Sequence, residues 1–164
     1  MTHVITIKED GASCDQRIAD FVEAYRAGKS EAFLSFSEFQ GRDFSRFWKN
    51  SAILRYDAER ADFRIIFFGT GLVAKYGRDV TGLCHKDYIE PEIAGAFTDQ
   101  YRRSLDIGEP VYISGNFGWQ GEDYICWDAV ALPLSHEDYR DEVVLHVSYI
   151  RNPALAARME RGAT

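Results

Sequence analysis

The sequence predicts an α+β domain: a five-stranded antiparallel sheet with a helical lid on one face and N-terminal helices packed on the other. Three observations carry this prediction. Two helical segments precede the first main strand, the remaining core helices fall between the second and third strands, and the last three strands follow one another across short polar loops. Strands joined by short loops pair antiparallel, so the intervening helices are left one face of the sheet to cover.

Taken in order, Val4-Ile-Thr-Ile7 alternates and reads as a peripheral strand or an extended arm. Ile18, Phe21, Val22 and Tyr25 then recur at helical spacing, with Ser13 or Asp15 as N-cap and Gly28 as the stop, predicting an amphipathic helix of about three turns. An aromatic segment (Phe33, Phe36, Phe39) leads to Phe44, Phe47 and Trp48, whose spacing predicts a second, shorter helix around 42–50. Burying five or six such side chains, at roughly 1.5–3 kcal/mol each, makes this region integral to the domain. Residues 52–56 and 63–68 read as a hairpin closed by the polar turn Asp57–Asp62. Gly69 and Gly71 break it, 72–76 supply one or two helical turns, and Asp87-Tyr-Ile89 another short piece. Glu90 or Pro91 opens the longest helix, with the apolar stripe Ile93, Phe97, Tyr101 and Leu105, ending at Gly108. Three strands follow at 111–119, 124–135 and 143–150, and Pro153–Arg161 reads as a short polar tail helix.

Composition removes several function classes. The chain has 164 residues, 46% of them hydrophobic, including eleven Phe and nine Tyr, enough for one ordinary core. Its net charge is −7, with Lys and Arg scattered singly, so there is no basic stripe to neutralise a phosphate backbone and nucleic acid is not expected as a partner. No stretch approaches the roughly 18 apolar residues of a membrane span, and the first residues lack a basic segment followed by an apolar run. Cys14, Cys84 and Cys126 are odd in number and widely spaced, which describes no disulfide framework. The expectation is a soluble, cytoplasmic protein.

Asp62-Phe-Arg64, Phe68-Gly-Thr70, Tyr76-Gly-Arg-Asp-Val-Thr-Gly82, Gly108-Glu-Pro110 and Leu132-Pro-Leu-Ser135 follow one another in a recognisable order and spacing. On these motifs the chain resembles, over roughly residues 52–150, a PAS subfamily found in bacteria as short stand-alone chains, and the preceding helix and aromatic segment are similar to that subfamily's N-terminal part. The chain departs from the pattern at Ile66, where the subfamily repeats an Arg. The resemblance implies a PAS-like core at 52–151, preceded by a helical cap or dimerisation segment at 1–51 and followed by a tail at 152–164. It also implies a cavity between the long helix and the sheet of the kind that holds haem, flavin, a small acid or nothing, and a non-enzymatic sensory role signalling to a partner protein.

The residues offer little else chemically. None of His3, His85, His136 and His146 stands in a nucleophile elbow or a metal-type pair, so no catalytic or metal residue is assigned. Gly69-Thr-Gly71 lacks both the full dinucleotide fingerprint and the P-loop Lys, and reads as a strand-to-helix bend. Candidate ligand-binding residues are Tyr88, Phe97, Tyr101, Trp119, Cys126 and Trp127, most of which pair an apolar body with a polar tip or a soft atom. Haem is the alternative occupant: His85 is the one His on the helical side, although Cys84-His85-Lys86-Asp87 also reads as a polar surface loop. A light-sensing flavin domain needs a reactive Cys inside an Asn-Cys-Arg motif, and Cys84 lacks those neighbours. Alternation places Val143, Leu145, Val147 and Tyr149 on the pocket side of the last strand, and His146 outside with Ser148. In the fourth strand both faces are apolar apart from Asp128, so something covers the outer one. The helix carrying Ile18, Phe21, Val22 and Tyr25 does so either within its own chain or across a two-fold axis, which makes these four the candidate interface of a homodimer.

Overall fold

The computed structural model describes residues 5–8, 11–12, 14–117 and 122–151. The expected tail helix and Trp119 lie outside them. Asp15 opens α1 (Gln16–Gly28), its carboxylate accepting the Arg17 backbone N–H. A short β2 (Leu34–Ser35) leads into α2 (Phe36–Phe39), which Ser35 and Glu38 close with a reciprocal capping box. Arg42–Asn50 is a 3₁₀ helix where the spacing predicts an ordinary one. The main strands are β3 (Ser51–Asp57), β4 (Asp62–Phe68), β5 (Val111–Phe117), β6 (Glu122–Ser135) and β7 (Val143–Ile150). Between β4 and β5 come α3 (Thr70–Tyr76), a 3₁₀ turn at His85–Asp87, and α4 (Pro91–Ile107), which starts with Pro at its first position and ends on left-handed Gly108.

These five strands pair antiparallel in the order β5-β6-β7-β3-β4, so the first and last of them, β3 and β7, lie side by side in the middle. The arm at Ile5–Lys8 is a sixth strand, β1, antiparallel on the β5 edge, and β2 runs parallel to the end of β6. Two cores follow from covering both faces. Beneath the lid, Leu54, Ile65, Leu72, Phe97, Tyr101, Ile113 and Trp127 pack together. On the other face Ile18, Phe21, Val22 and Tyr25 meet Leu34, Phe44, Phe47, Val130, Leu132 and Leu145.

That second core corrects two expectations. Ile18, Phe21, Val22 and Tyr25 are all buried against their own sheet, and the Tyr25 hydroxyl donates to the Pro133 carbonyl at 2.6 Å, so α1 spends its apolar stripe within the chain rather than presenting it to a second copy. Val143, Leu145, Val147 and Tyr149 face α1, not the lid; Val144, His146 and Ile150 face the lid. Because the sheet is covered on both sides, every residue of β7 is buried and polarity no longer marks its outer face.

Gly69, in the Phe68-Gly-Thr70 motif, is fixed by space: a Cβ there would collide with the Trp48 carbonyl oxygen, where the strand end crosses the 3₁₀ segment. Gly82 closes the following motif at φ 89° and hydrogen-bonds the Ile65 carbonyl, returning the loop to β4.

Asp128 ties three parts of the chain together. Its buried carboxylate accepts from the Asp15 backbone N–H (2.8 Å), the Ser114 hydroxyl (2.6 Å) and the Arg151 guanidinium (2.9 and 3.0 Å). Burial pushes its pKa up, but these donors outweigh burial and hold it below the ordinary value. Asp128→Ala leaves the α1 entry and Ser114 without their acceptor and lowers stability by about 1–3 kcal/mol, measured by urea unfolding. A wild-type midpoint would show that α1 is not anchored there.

Candidate functional site

The lid-side core is where the candidate residues converge. In α4, Phe97 and Tyr101 stand one turn apart on the buried stripe. The 3₁₀ turn at His85–Asp87 is pinned by Asp87, which accepts the Cys84 backbone N–H and pairs with Arg60, and this turn carries His85 inward. The His85 ring lies nearly parallel to Phe97 (centroids 5.4 Å apart, 11°) and to Tyr101 (5.6 Å, 25°). Phe97 stacks in turn on Trp127 of β6 at 5.7 Å, and Trp127 donates its indole N–H to the Asn116 carbonyl. From β7, His146 meets Tyr101 edge-on, its Nδ1 3.0 Å from the Tyr101 hydroxyl. Tyr88 packs against the cluster beside Tyr76 and His85. Among the sequence candidates, Tyr88, Phe97, Tyr101, Trp127 and His85 are therefore brought together. Cys126 is not: it shares a face with Asp128, on the side of the strand away from Trp127, and is only half-buried.

Two histidines are placed differently from expectation. His85 is buried instead of lying on a polar surface loop, and His146 is turned inward. His146 stands in no motif of the sequence, and Asp62 enters only through the Asp62-Phe-Arg64 motif and the polar turn before it, with nothing local to mark it as a buried acceptor. The one available signal for His146 is its register with Val144 and Ile150, which the doubly apolar strand makes ambiguous. Asp62 is fully buried, accepting from the Phe63 and Lys86 backbone N–H groups (2.8 Å each) and from the Thr98 hydroxyl (3.2 Å).

The electrostatics follow from burial. Desolvation takes the His85 pKa down to about 4, against an opposing pull from the Asp62 charge. Desolvation likewise takes His146 down to about 3, with the positive charges of protonated His85 and of Lys75 acting in the same direction. Burial raises the phenols of Tyr88 and Tyr101. At neutral pH the cluster is a set of uncharged donors and acceptors among rings. Within it, the Nδ1 atom of His85 is buried and has no hydrogen-bond partner among the described residues. Burial also raises the Cys84 thiol, the reverse of what a reactive thiolate requires.

The closed packing leaves no room for a haem or flavin ring. Helix α4 touches the sheet ring to ring, through Phe97 on Trp127 and Tyr101 on His146, and a flat cofactor lodged between them requires those rings to part. Among the described residues no three His, Cys, Asp or Glu side chains are grouped so as to hold a metal ion, and no helix is long and apolar enough to cross a membrane.

No protein-family model matches the chain, and no curated protein matches it. Two solved structures resemble it. One is a Light-Oxygen-Voltage domain studied with a flavin analogue, at 13% identity and a TM-score of 0.47, covering 76% of this chain and 95% of the other. The second is an RNA-binding Light-Oxygen-Voltage receptor, at 9% identity and a TM-score of 0.39, covering 98% of this chain; the chain spans 42% of that receptor's length. The strand order, with its first and last strands adjacent, and the long helix packed on one face of the sheet give the chain an α+β fold of the PAS-like kind.

Proposed function

We propose that the chain is a non-enzymatic PAS-type sensory module of the cytoplasm. In this reading a small, uncharged, hydrogen-bonding ligand enters the cluster of His85, Tyr88, Phe97, Tyr101 and Trp127, and the shift of α4 that admits it is read by a partner protein. The observation that carries this is His85 Nδ1. An unpaired buried polar atom costs about 1–3 kcal/mol, which a ligand that hydrogen-bonds it recovers. Buried imidazoles that stay neutral at pH 7 favour an uncharged ligand. The three cysteines are free, in keeping with a reducing compartment.

The direct contact of Phe97 with Trp127 favours a second reading, a ligand-free interaction module. The two separate on one experiment: protein purified from its native host, an absorbance spectrum, and mass spectrometry of what denaturation releases. A small molecule released by the wild type and missing from folded His85→Phe supports the sensor. A colourless protein that releases nothing overturns it in favour of the interaction module, and a Soret band contradicts the closed packing described above.

A further inference from the structure

A second concave site lies away from the lid-side cluster, at the end of β7 where α1, the 3₁₀ segment and α3 meet. It is a cavity of about 270 Å³, near the lower end of the size range of small-molecule sites. Arg17, Arg46, Lys49 and Lys75 line it against a single lining carboxylate, Asp20. This is the reverse of the chain as a whole, in which Asp and Glu number 26 against 19 Lys and Arg.

Three arginines elsewhere are matched to acids: Arg60 to Asp87, Arg64 to Asp57, Arg151 to Asp128. At this cavity Arg17 is matched too, through Asp15, but Arg46 and Lys49 form no ion pair with any described residue. The donors are also held in place. The buried Lys75 ammonium donates to the Ser148 carbonyl at 2.8 Å, and Asn50 donates to the same oxygen at 3.2 Å. The Arg17 guanidinium sits 4.4 Å over the Tyr149 ring and that of Arg46 4.5 Å over Phe47. Like charges gathered in one cavity repel, and an oxyanion bound among them turns that repulsion into charge-assisted hydrogen bonds.

We propose that this cavity binds a small ligand through an oxyanion group, phosphate or carboxylate. The proposal is independent of the sensing role of the lid-side cluster. The test is thermal unfolding and calorimetric titration with inorganic phosphate, adenosine monophosphate and succinate, each against sodium chloride of equal ionic strength. The expected result is a rise of about 5–10 °C in the melting midpoint at roughly a hundredfold excess over Kd for at least one probe. The same titration with Arg46→Gln/Lys49→Gln then shows affinity at least about tenfold weaker, while Lys29→Gln, outside the cavity, binds as the wild type does. Arg46 and Lys49 are exposed, so the double variant keeps its fold, and circular dichroism checks this. If no probe raises the midpoint beyond the chloride control, or the double variant binds as tightly as the wild type, the proposal is overturned.

Discussion

Between pH 6.5 and pH 4.5 the chain loses about 5 kcal/mol of stability, because two histidines that an unfolded chain protonates are held neutral in the fold. The unfolded pKa is about 6.5, and the folded values are lowered to about 4 for His85 and about 3 for His146. A lowered folded pKa means that, within this window, the unfolded state binds more protons than the native state. Stability therefore rises with pH up to about 6.5 and is flat above it. Each histidine contributes a slope of about 1.4 kcal/mol per pH unit. The groups facing the pair are Asp62, which favours the His85 charge, Lys75, which opposes that of His146, and the neutral phenols of Tyr88 and Tyr101. Asp128 adds little here: its pKa is lowered in the fold, so its contribution is lost only at lower pH, from about 4 downward, where the unfolded carboxylate takes up protons and the folded one does not yet. Urea unfolding at half-unit pH intervals reads the slope. A midpoint unchanged from pH 7 to pH 5 would mean that both imidazoles reach water.

Phe97→Ala lowers stability by about 3–5 kcal/mol, the cost of emptying a fully packed aromatic site. Phe97 touches His85, Tyr101, Trp127 and His146, so it is the ring through which α4, the 3₁₀ turn, β6 and β7 meet. Removing it leaves a gap beside both imidazoles. The variant accordingly shows a second effect, a shallower pH dependence, as water reaching the gap relieves the desolvation of His85 and His146. Equilibrium unfolding of variant and wild type at pH 7 and pH 5 reads both. A change below about 1 kcal/mol at pH 7 would place Phe97 outside the packed core.

The boundaries of the elements were readable from local signals, since these act over a few residues. Pro91 and Gly108 bracket α4, Asp15 caps α1, and the uninterrupted run Val143–Ile150 is β7 from end to end. What local signals lack is any statement of which face meets which layer. In β7 both registers are apolar except for His146 and Ser148, and assigning the polar pair to the outside follows a rule that holds only for a sheet with one wet face. Here α1 covers one side and α4 the other, so the rule inverted the strand and hid half of the candidate site. His85 is hidden for a different reason. Its neighbours Lys86 and Asp87 do point outward, Asp87 to Arg60, and the turn they form rotates the one histidine between them and Cys84 into the core. Cys126 resembles Trp127 in character only, since adjacent residues of a strand face opposite ways.

His85 and His146 are enclosed, neutral at pH 7 and in contact with α4. An NMR titration that resolves the imidazole nitrogens of each histidine tests this most directly. The result expected is that both rings stay neutral in the folded chain from pH 7.5 down to about pH 5, with Nδ1 of His146 showing the hydrogen bond to Tyr101. Midpoints near the ordinary value of about 6.5 for either ring in the folded chain would contradict it.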